Sequence, residues 1–193
     1  ADCNVIHVAM SEKSSAFARF REWGNQTGKR IIGTIPLDKI VETFANENVD
    51  AVNAAPGYLV RISQLFEATG KSANLKQVIS GHATMSRKDA VYIQKWLGRD
   101  LQIGYGATEI GTICTGTAEE VADIPGCVGK PLPGIEVEIV NRDEIRIKSP
   151  STMITEYVDD IENTARHFKD GWFHPGDRGY LTKDGRLVIT KNR

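Results

Sequence analysis

Nothing in this sequence is long and apolar enough to enter a bilayer: no run approaches the roughly 20 residues of a membrane span. The N-terminus also lacks a basic segment followed by an apolar signal core, so a cytoplasmic protein is expected. An excess of positive charge is missing as well. Lys and Arg number 24 against 25 Asp and Glu, and no basic stripe offers nucleic acid a footprint. Cysteine is scarce, with three residues in all. Cys3, Cys114 and Cys127 form no Cys-x-x-Cys pair and have no neighbouring His, which argues against zinc and for reduced structural thiols. The histidines His7, His82, His167 and His174 show neither a Ser-His-acid nor a metal-ligand spacing. His7 sits in an apolar run and is expected to be a satisfied core or edge residue.

What is present is an ordinary globular composition, 40% hydrophobic over 193 residues, enough for one domain or two small ones. Asn25-Gln26-Thr27 matches a glycosylation sequon, but the secreted context it needs is not seen. The first residue is Ala1 rather than Met, so a piece of a longer chain is expected.

From Ser14 to Tyr105 helical and strand patterns alternate. Phe17, Phe20 and Trp23 lie at helical spacing before Gly24, and Arg30 to Thr34 follows as a strand. Leu37, Ile40, Val41 and Phe44 mark a helix entered after Pro36, and Asp50 to Ala55 a buried strand. Tyr58, Leu59, Ile62, Leu65 and Phe66 form a stripe ended by Gly70, followed by a strand from Leu75 to Ser80. Ser86 is a plausible N-cap for a helix carrying Ala90, Val91, Ile93 and Trp96, and Leu101 to Tyr105 is the next strand. Such alternation predicts an α/β fold with a mainly parallel sheet flanked by helices.

After Glu109 the pattern changes. Gly126, Gly129, Pro131, Pro133 and Gly134 punctuate the chain and helical periodicity disappears. Ile135, Val137 and Ile139 alternate with Glu136 and Glu138, and Ile145 and Ile147 with Arg146 and Lys148, as in half-exposed antiparallel strands. Asp184-Gly185 is a hairpin signal, and one short helical turn is expected near Ile161 to Arg166. The expected division is an α/β subdomain over 1–109 and a mostly antiparallel, barrel-like β subdomain over 110–193.

Two polar, glycine-bearing clusters fall at predicted strand ends, Ser80-Gly81-His82-Ala83-Thr84 and Tyr105-Gly106-Ala107-Thr108-Glu109. Open parallel sheets bind ligands there. Glycine permits close backbone approach, a threonine hydroxyl can donate to phosphate, a carboxylate suits Mg²⁺, and a tyrosine ring can stack on a base. Ordinary βα loops are also polar and glycine-rich, so composition leaves both readings open. Asp177, in Asp170-Gly171-Trp172-Phe173-His174-Pro175-Gly176-Asp177, could accept paired bonds from a vicinal diol or could satisfy local amides. Gly24-Asn25-Gln26-Thr27-Gly28-Lys29 has too short a glycine spacing for a phosphate loop and is taken as a turn.

Taken in order, Ser80-Gly81-His82-Ala83, Tyr105 to Glu109, Gly126-Cys127-Val128-Gly129-Lys130-Pro131-Leu132-Pro133-Gly134, Glu144 to Pro150, and Gly171-Trp172-Phe173 through Gly176-Asp177 resemble the adenylate-forming superfamily. That superfamily includes acyl-CoA synthetases, nonribosomal-peptide adenylation domains and luciferases. The resemblance implies the later α/β part of the large domain followed by its distorted barrel. It implies an ATP-dependent, AMP-forming activation of a carboxylic acid, with CoA or the phosphopantetheine of an acyl-carrier protein as acceptor.

By position, Gly81, His82 and Ala83 would border the adenine and Tyr105 would stack on it. Thr108 would contact the α-phosphate and Glu109 would hold Mg²⁺. Asp177 and Arg193 would reach the ribose, and Gly104 and Gly106 would edge the acyl pocket. His82, Pro175 and Asn192 depart from the usual residues. The family's phosphate-gripping loop and its small C-terminal domain with a catalytic lysine have no match here, which implies a fragment without complete machinery. Two alternatives remain: a non-catalytic nucleotide- or acyl-binding module, and a peptide-synthetase adenylation domain. The missing Asp before the strand that follows Gly28 weighs against the latter.

Overall fold

The computed structural model describes residues 3–81, 83–151 and 153–191. The chain divides into two compact units, residues 1–102 and 103–193. In the first, β1 (Val5–Val8), α1 (Ser15–Thr27), β2 (Arg30–Ile32), α2 (Ile40–Asn46), β3 (Ala51–Ala54), α3 (Pro56–Thr69), β4 (Gln77–Ser80) and α4 (Arg87–Trp96) follow one another. The strands pair in the order β2-β1-β3-β4, all parallel. β5 (Leu101–Ala107) begins in this unit and ends in the next.

Local chemistry sets the helix boundaries. Ser14 and Ser86 accept from the amides of Phe17 and Asp89, satisfying N–H groups that a helix start leaves bare. α3 starts with Pro56 in its first turn and stops at Gly70, whose φ of 68° suits a left-handed cap. α1 runs past Gly24, where the sequence pattern ends it, and stops at Gly28. The reason is packing: a Cβ on Gly24 would lie 2.6 Å from Ile31 Cγ1 and from the Lys29 carbonyl, so this glycine brings the helix onto β2. Val52, Leu59, Ile62, Val78 and Ile93 are fully buried at the centre of the unit.

His7 lies in that core on an interior strand, buried completely, with neither ring nitrogen hydrogen-bonded. The expectation of a satisfied histidine is therefore corrected. Phe44 meets the ring edge-on at 5.5 Å and Tyr58 lies at 6.1 Å, so aromatic carbon surrounds it. Burial lowers its pKa to about 4, which keeps it neutral.

The second unit continues with β6 (Gly111–Thr117), α5 (Ala118–Ala122), β7 (Lys130–Pro131), β8 (Glu136–Val140), β9 (Glu144–Lys148), α6 (Ile161–His167), β10 (Phe168–Lys169), β11 (Trp172–Phe173), β12 (Arg178–Leu181) and β13 (Leu187–Lys191). One antiparallel sheet runs β10-β11-β9-β12-β13, with β8 also on β9. β6 pairs antiparallel with β7. Its core gathers Ile110, Ile113, Cys114, Val128, Ile145, Ile147, Phe173, Leu187 and Ile189. α6 supplies the short helical turn expected near Ile161 to Arg166, and a further helix the pattern did not show, α5, forms on a capping box in which Thr117 and Glu120 satisfy each other's amides. The three cysteines are buried free thiols, and burial pushes Cys114 up to about 12. No helix among the described residues is long and apolar enough to cross a membrane.

Candidate functional site

Tyr105, Gly106 and Ala107 are not loop residues but the last positions of β5, and a short turn at 108–110 leads into β6. Gly106 is needed for that return. A Cβ there would stand 2.3 Å from the Gly111 carbonyl, so the glycine admits the neighbouring strand. The strand alternation leaves Tyr105 half-buried against the core of this unit, while Thr108 at the turn is exposed and Glu109 half-buried.

Asp177 comes to the same place from the other end of the unit. Its segment leaves the β10–β11 hairpin, where Asp170 (φ 52°) and Gly171 (φ 77°) adopt the left-handed conformations of a tight turn. His167 then clamps the connection leading to Asp177. Its carbonyl accepts the His174 amide at 2.7 Å and its Nδ1 donates to the His174 carbonyl at 2.5 Å. His174 in turn lies 2.8 Å from Glu144 Oε1, and the Asp177 carbonyl accepts the Ile145 amide at 3.2 Å. These contacts hold Asp177 on a fixed backbone. Its Oδ2 accepts the Tyr105 hydroxyl at 2.5 Å across 72 residues of sequence. Burial, and then this bond, raise the Tyr105 pKa and keep the phenol a donor.

Glu109 has a comparable partner. Tyr157 donates its hydroxyl to Glu109 Oε1 at 2.7 Å, and the Glu109 carbonyl accepts the Ile154 amide at 2.9 Å. The sequence pattern did not single out Tyr157. It lies in no glycine cluster, and its contact spans 48 residues. A cavity of about 330 Å³ is lined by Tyr157, Val158, Asp160, Asn163 and His167, none of them anticipated as site residues.

The second unit therefore contains Gly104, Tyr105, Gly106, Thr108, Glu109 and Asp177, with Tyr105 bonded to Asp177. Gly81 and Ala83 follow β4 in the first unit, where the Ser80 hydroxyl is buried without a hydrogen-bond partner. His82 and Arg193, expected at the adenine and the ribose, lie outside the described residues.

Among the described residues no three His, Cys, Asp or Glu side chains group into a metal cage. A lone, half-exposed carboxylate such as Glu109 fits Mg²⁺, which takes one or two protein carboxylates and fills its shell with phosphate oxygens and water. It does not fit a zinc site, which needs at least three protein ligands.

Residues 30–154 match the family model described as "AMP-binding enzyme". The chain belongs to this family. Among its relatives, the putative acyl-CoA ligase YdaB of Bacillus subtilis (strain 168) is 28% identical over 78% of this chain and 32% of its own length. The amide bond synthetase McbA from Marinactinospora thermotolerans superposes with a TM-score of 0.83 at 23% identity, covering 100% of this chain and 41% of that one. The O-succinylbenzoate coenzyme A synthetase of Bacillus subtilis, solved with ATP and magnesium ion, gives a TM-score of 0.81 at 20% identity over 98% and 42%. These likenesses establish the family fold: a mainly parallel sheet flanked by helices, followed by an antiparallel β portion. The chain spans about a third of the length of the first curated relatives it matches.

Proposed function

We propose that this chain is the nucleotide-contacting part of an ATP-dependent, AMP-forming carboxylate ligase. The ligase activates an organic acid as its acyl-adenylate and passes the acyl group to CoA or to the phosphopantetheine of an acyl-carrier protein. The observation that carries the reading is the Tyr105–Asp177 bond, which joins two of the family-motif positions in one half-buried site. Curated acyl-CoA ligases among the relatives, and an ATP- and magnesium-bound structural neighbour, support it.

In this reading Asp177 accepts from the ribose hydroxyls while Tyr105 fixes its orientation and offers its ring to the adenine. Thr108 donates to the α-phosphate, Gly81 and Ala83 border the base, and Gly104 and Gly106 edge the acyl pocket. Glu109 would hold Mg²⁺, which when bound would offset charge on the phosphoryl oxygens; the substrate carboxylate forms its bond to the α-phosphorus as the α–β phosphoanhydride bond breaks and pyrophosphate leaves. The phosphate-gripping loop and the catalytic lysine are assigned to sequence outside these 193 residues. Such a division leaves this chain alone with weak AMP binding and no adenylate formation.

The test is pyrophosphate exchange into ATP by the intact protein carrying this chain, screened against aryl, fatty and amino acids. Exchange with one acid class is expected, and Glu109→Gln should lower it on the order of 100-fold, as loss of a charge-stabilising group typically does. Exchange that is absent with every acid would point to a non-catalytic binding module, and an unchanged rate in the variant would remove Glu109 from the metal.

A further inference from the structure

Glu109 carries a carboxylate whose two oxygens are not equivalent. Oε1 accepts the Tyr157 hydroxyl at 2.7 Å, a well-formed O–H···O bond. Among the described residues no donor bonds Oε2. A glutamate on a turn normally samples several rotamers, and fixing it costs side-chain entropy. Here the hydroxyl has already fixed it.

The tyrosine is itself immobilised from several sides. Its ring meets Phe168 at 5.4 Å and 63°, and His167 at 6.2 Å and 87°. Its amide donates to Thr164 Oγ1 at 2.9 Å, tying it to the first turns of α6. Three residues upstream, the Ile154 amide holds the Glu109 carbonyl, so the 154–157 segment grips this residue by main chain and side chain together. His167, against which the Tyr157 ring packs, is also the residue that clamps His174 on the approach to Asp177. One partly buried aromatic cluster thus supports both carboxylates, Glu109 through a hydroxyl and Asp177 through the clamped segment.

We infer that Tyr157 is the positioning residue for Glu109, holding Oε1 so that Oε2 is the oxygen presented to the divalent cation of a metal–nucleotide. This rests on the ligase reading for the identity of the cation, but not for the positioning itself. Tyr157 acts through Glu109. Its contribution is to remove the rotamer freedom that a metal ligand on an exposed turn would otherwise lose on binding.

Two measurements on Tyr157→Phe test the two halves separately. This variant keeps the ring and its contacts with Phe168 and His167 while deleting the hydroxyl. In the ligand-free intact protein carrying this chain, labelled with ¹³C at glutamate, the Glu109 side chain should show one rotamer in the parent and averaging over several in Tyr157→Phe. Order that is unchanged in the variant overturns the positioning role. Titration with Mn²⁺ and ATP should broaden the Glu109 carboxyl signal, with about tenfold more required in Tyr157→Phe, at the lower end of what removing a ligand-orienting partner costs. Binding of AMP without metal should stay within about twofold.

Equal Mn²⁺ requirements in parent and variant, or a parallel loss of metal-free AMP binding, overturn the link from Tyr157 to the cation. Broadening that is absent in the parent as well counts against the metal–nucleotide reading, while the rotamer measurement still decides whether Tyr157 positions Glu109.

Discussion

His7 in the first unit and the two site carboxylates in the second are treated in opposite ways. In the first, His7 is buried completely among Phe44 and Tyr58 with both nitrogens unpaired. In the second, Asp177 and Glu109 are half-buried and each is bonded by a tyrosine hydroxyl. An unpaired polar group in a dry core costs free energy and has no route to solvent or ligand. A paired carboxylate that keeps some exposure is fixed in place yet retains accessible lone pairs. Burial alone is therefore a poor guide to function in this chain, and partner plus exposure a better one.

The comparison can be broken most strongly in the second unit. Gly129 has a φ of 85°, and a Cβ there would stand 2.1 Å from the Thr115 carbonyl. Gly129→Ala combines left-handed strain with a backbone collision and should destabilise this unit by about 3 kcal/mol. Hydrogen exchange resolved by unit is the measurement, with protection expected to fall in residues 103–193. Full retention of protection would mean that the Gly-Cys-Val-Gly-Lys-Pro motif is not structural glue.

The next effect belongs to His7. Its folded pKa of about 4 lies below the ordinary value near 6.5, so the unfolded chain binds the extra proton first as pH falls. Stability from its neutrality is fully present above pH 6.5 and is lost progressively as pH falls toward 4. At pH 5 the first unit should be about 2 kcal/mol less stable than at pH 7 on this account. His7→Leu should abolish this share of the acid loss in urea titrations. A pH dependence identical to that of the parent would show that His7 gains a proton partner the structure does not reveal.

The smallest effect sharpens the role of local capping. Ser86→Ala removes the hydroxyl that accepts from the Asp89 amide at 3.1 Å, and should cost about 1 kcal/mol. The loss should appear as faster exchange confined to the start of α4, leaving the Tyr105–Asp177 region untouched.

Much of this fold was legible because its signals are short-range. Ser86 and Gly70 mark helix ends by chemistry that acts within three residues, and the alternation of Ile145 and Ile147 with Arg146 and Lys148 gives a strand by itself. α5 was missed although Thr117-Ala118-Glu119-Glu120 has the capping-box spacing, because five residues are too few to show helical periodicity. The end of α1 was misplaced at Gly24 because a glycine that breaks an isolated helix can also be the one that lets it approach a strand.

The site was legible in part and for a different reason. Tyr105, Glu109 and Asp177 stood out only through a family resemblance in motif order, since their composition fits an ordinary turn equally well. By itself the sequence determined the alternation of elements, the change from α/β to β and the lack of a Cys-x-x-Cys pair, because each follows from spacing along the chain, and it pointed to the family through motifs that resemble it in order. Only the tertiary structure decided that Tyr105 bonds Asp177, that Tyr157 bonds Glu109 and that His7 is left unpaired. Those contacts join residues tens of positions apart, and a chain specifies them through packing of whole elements, not through any local pattern.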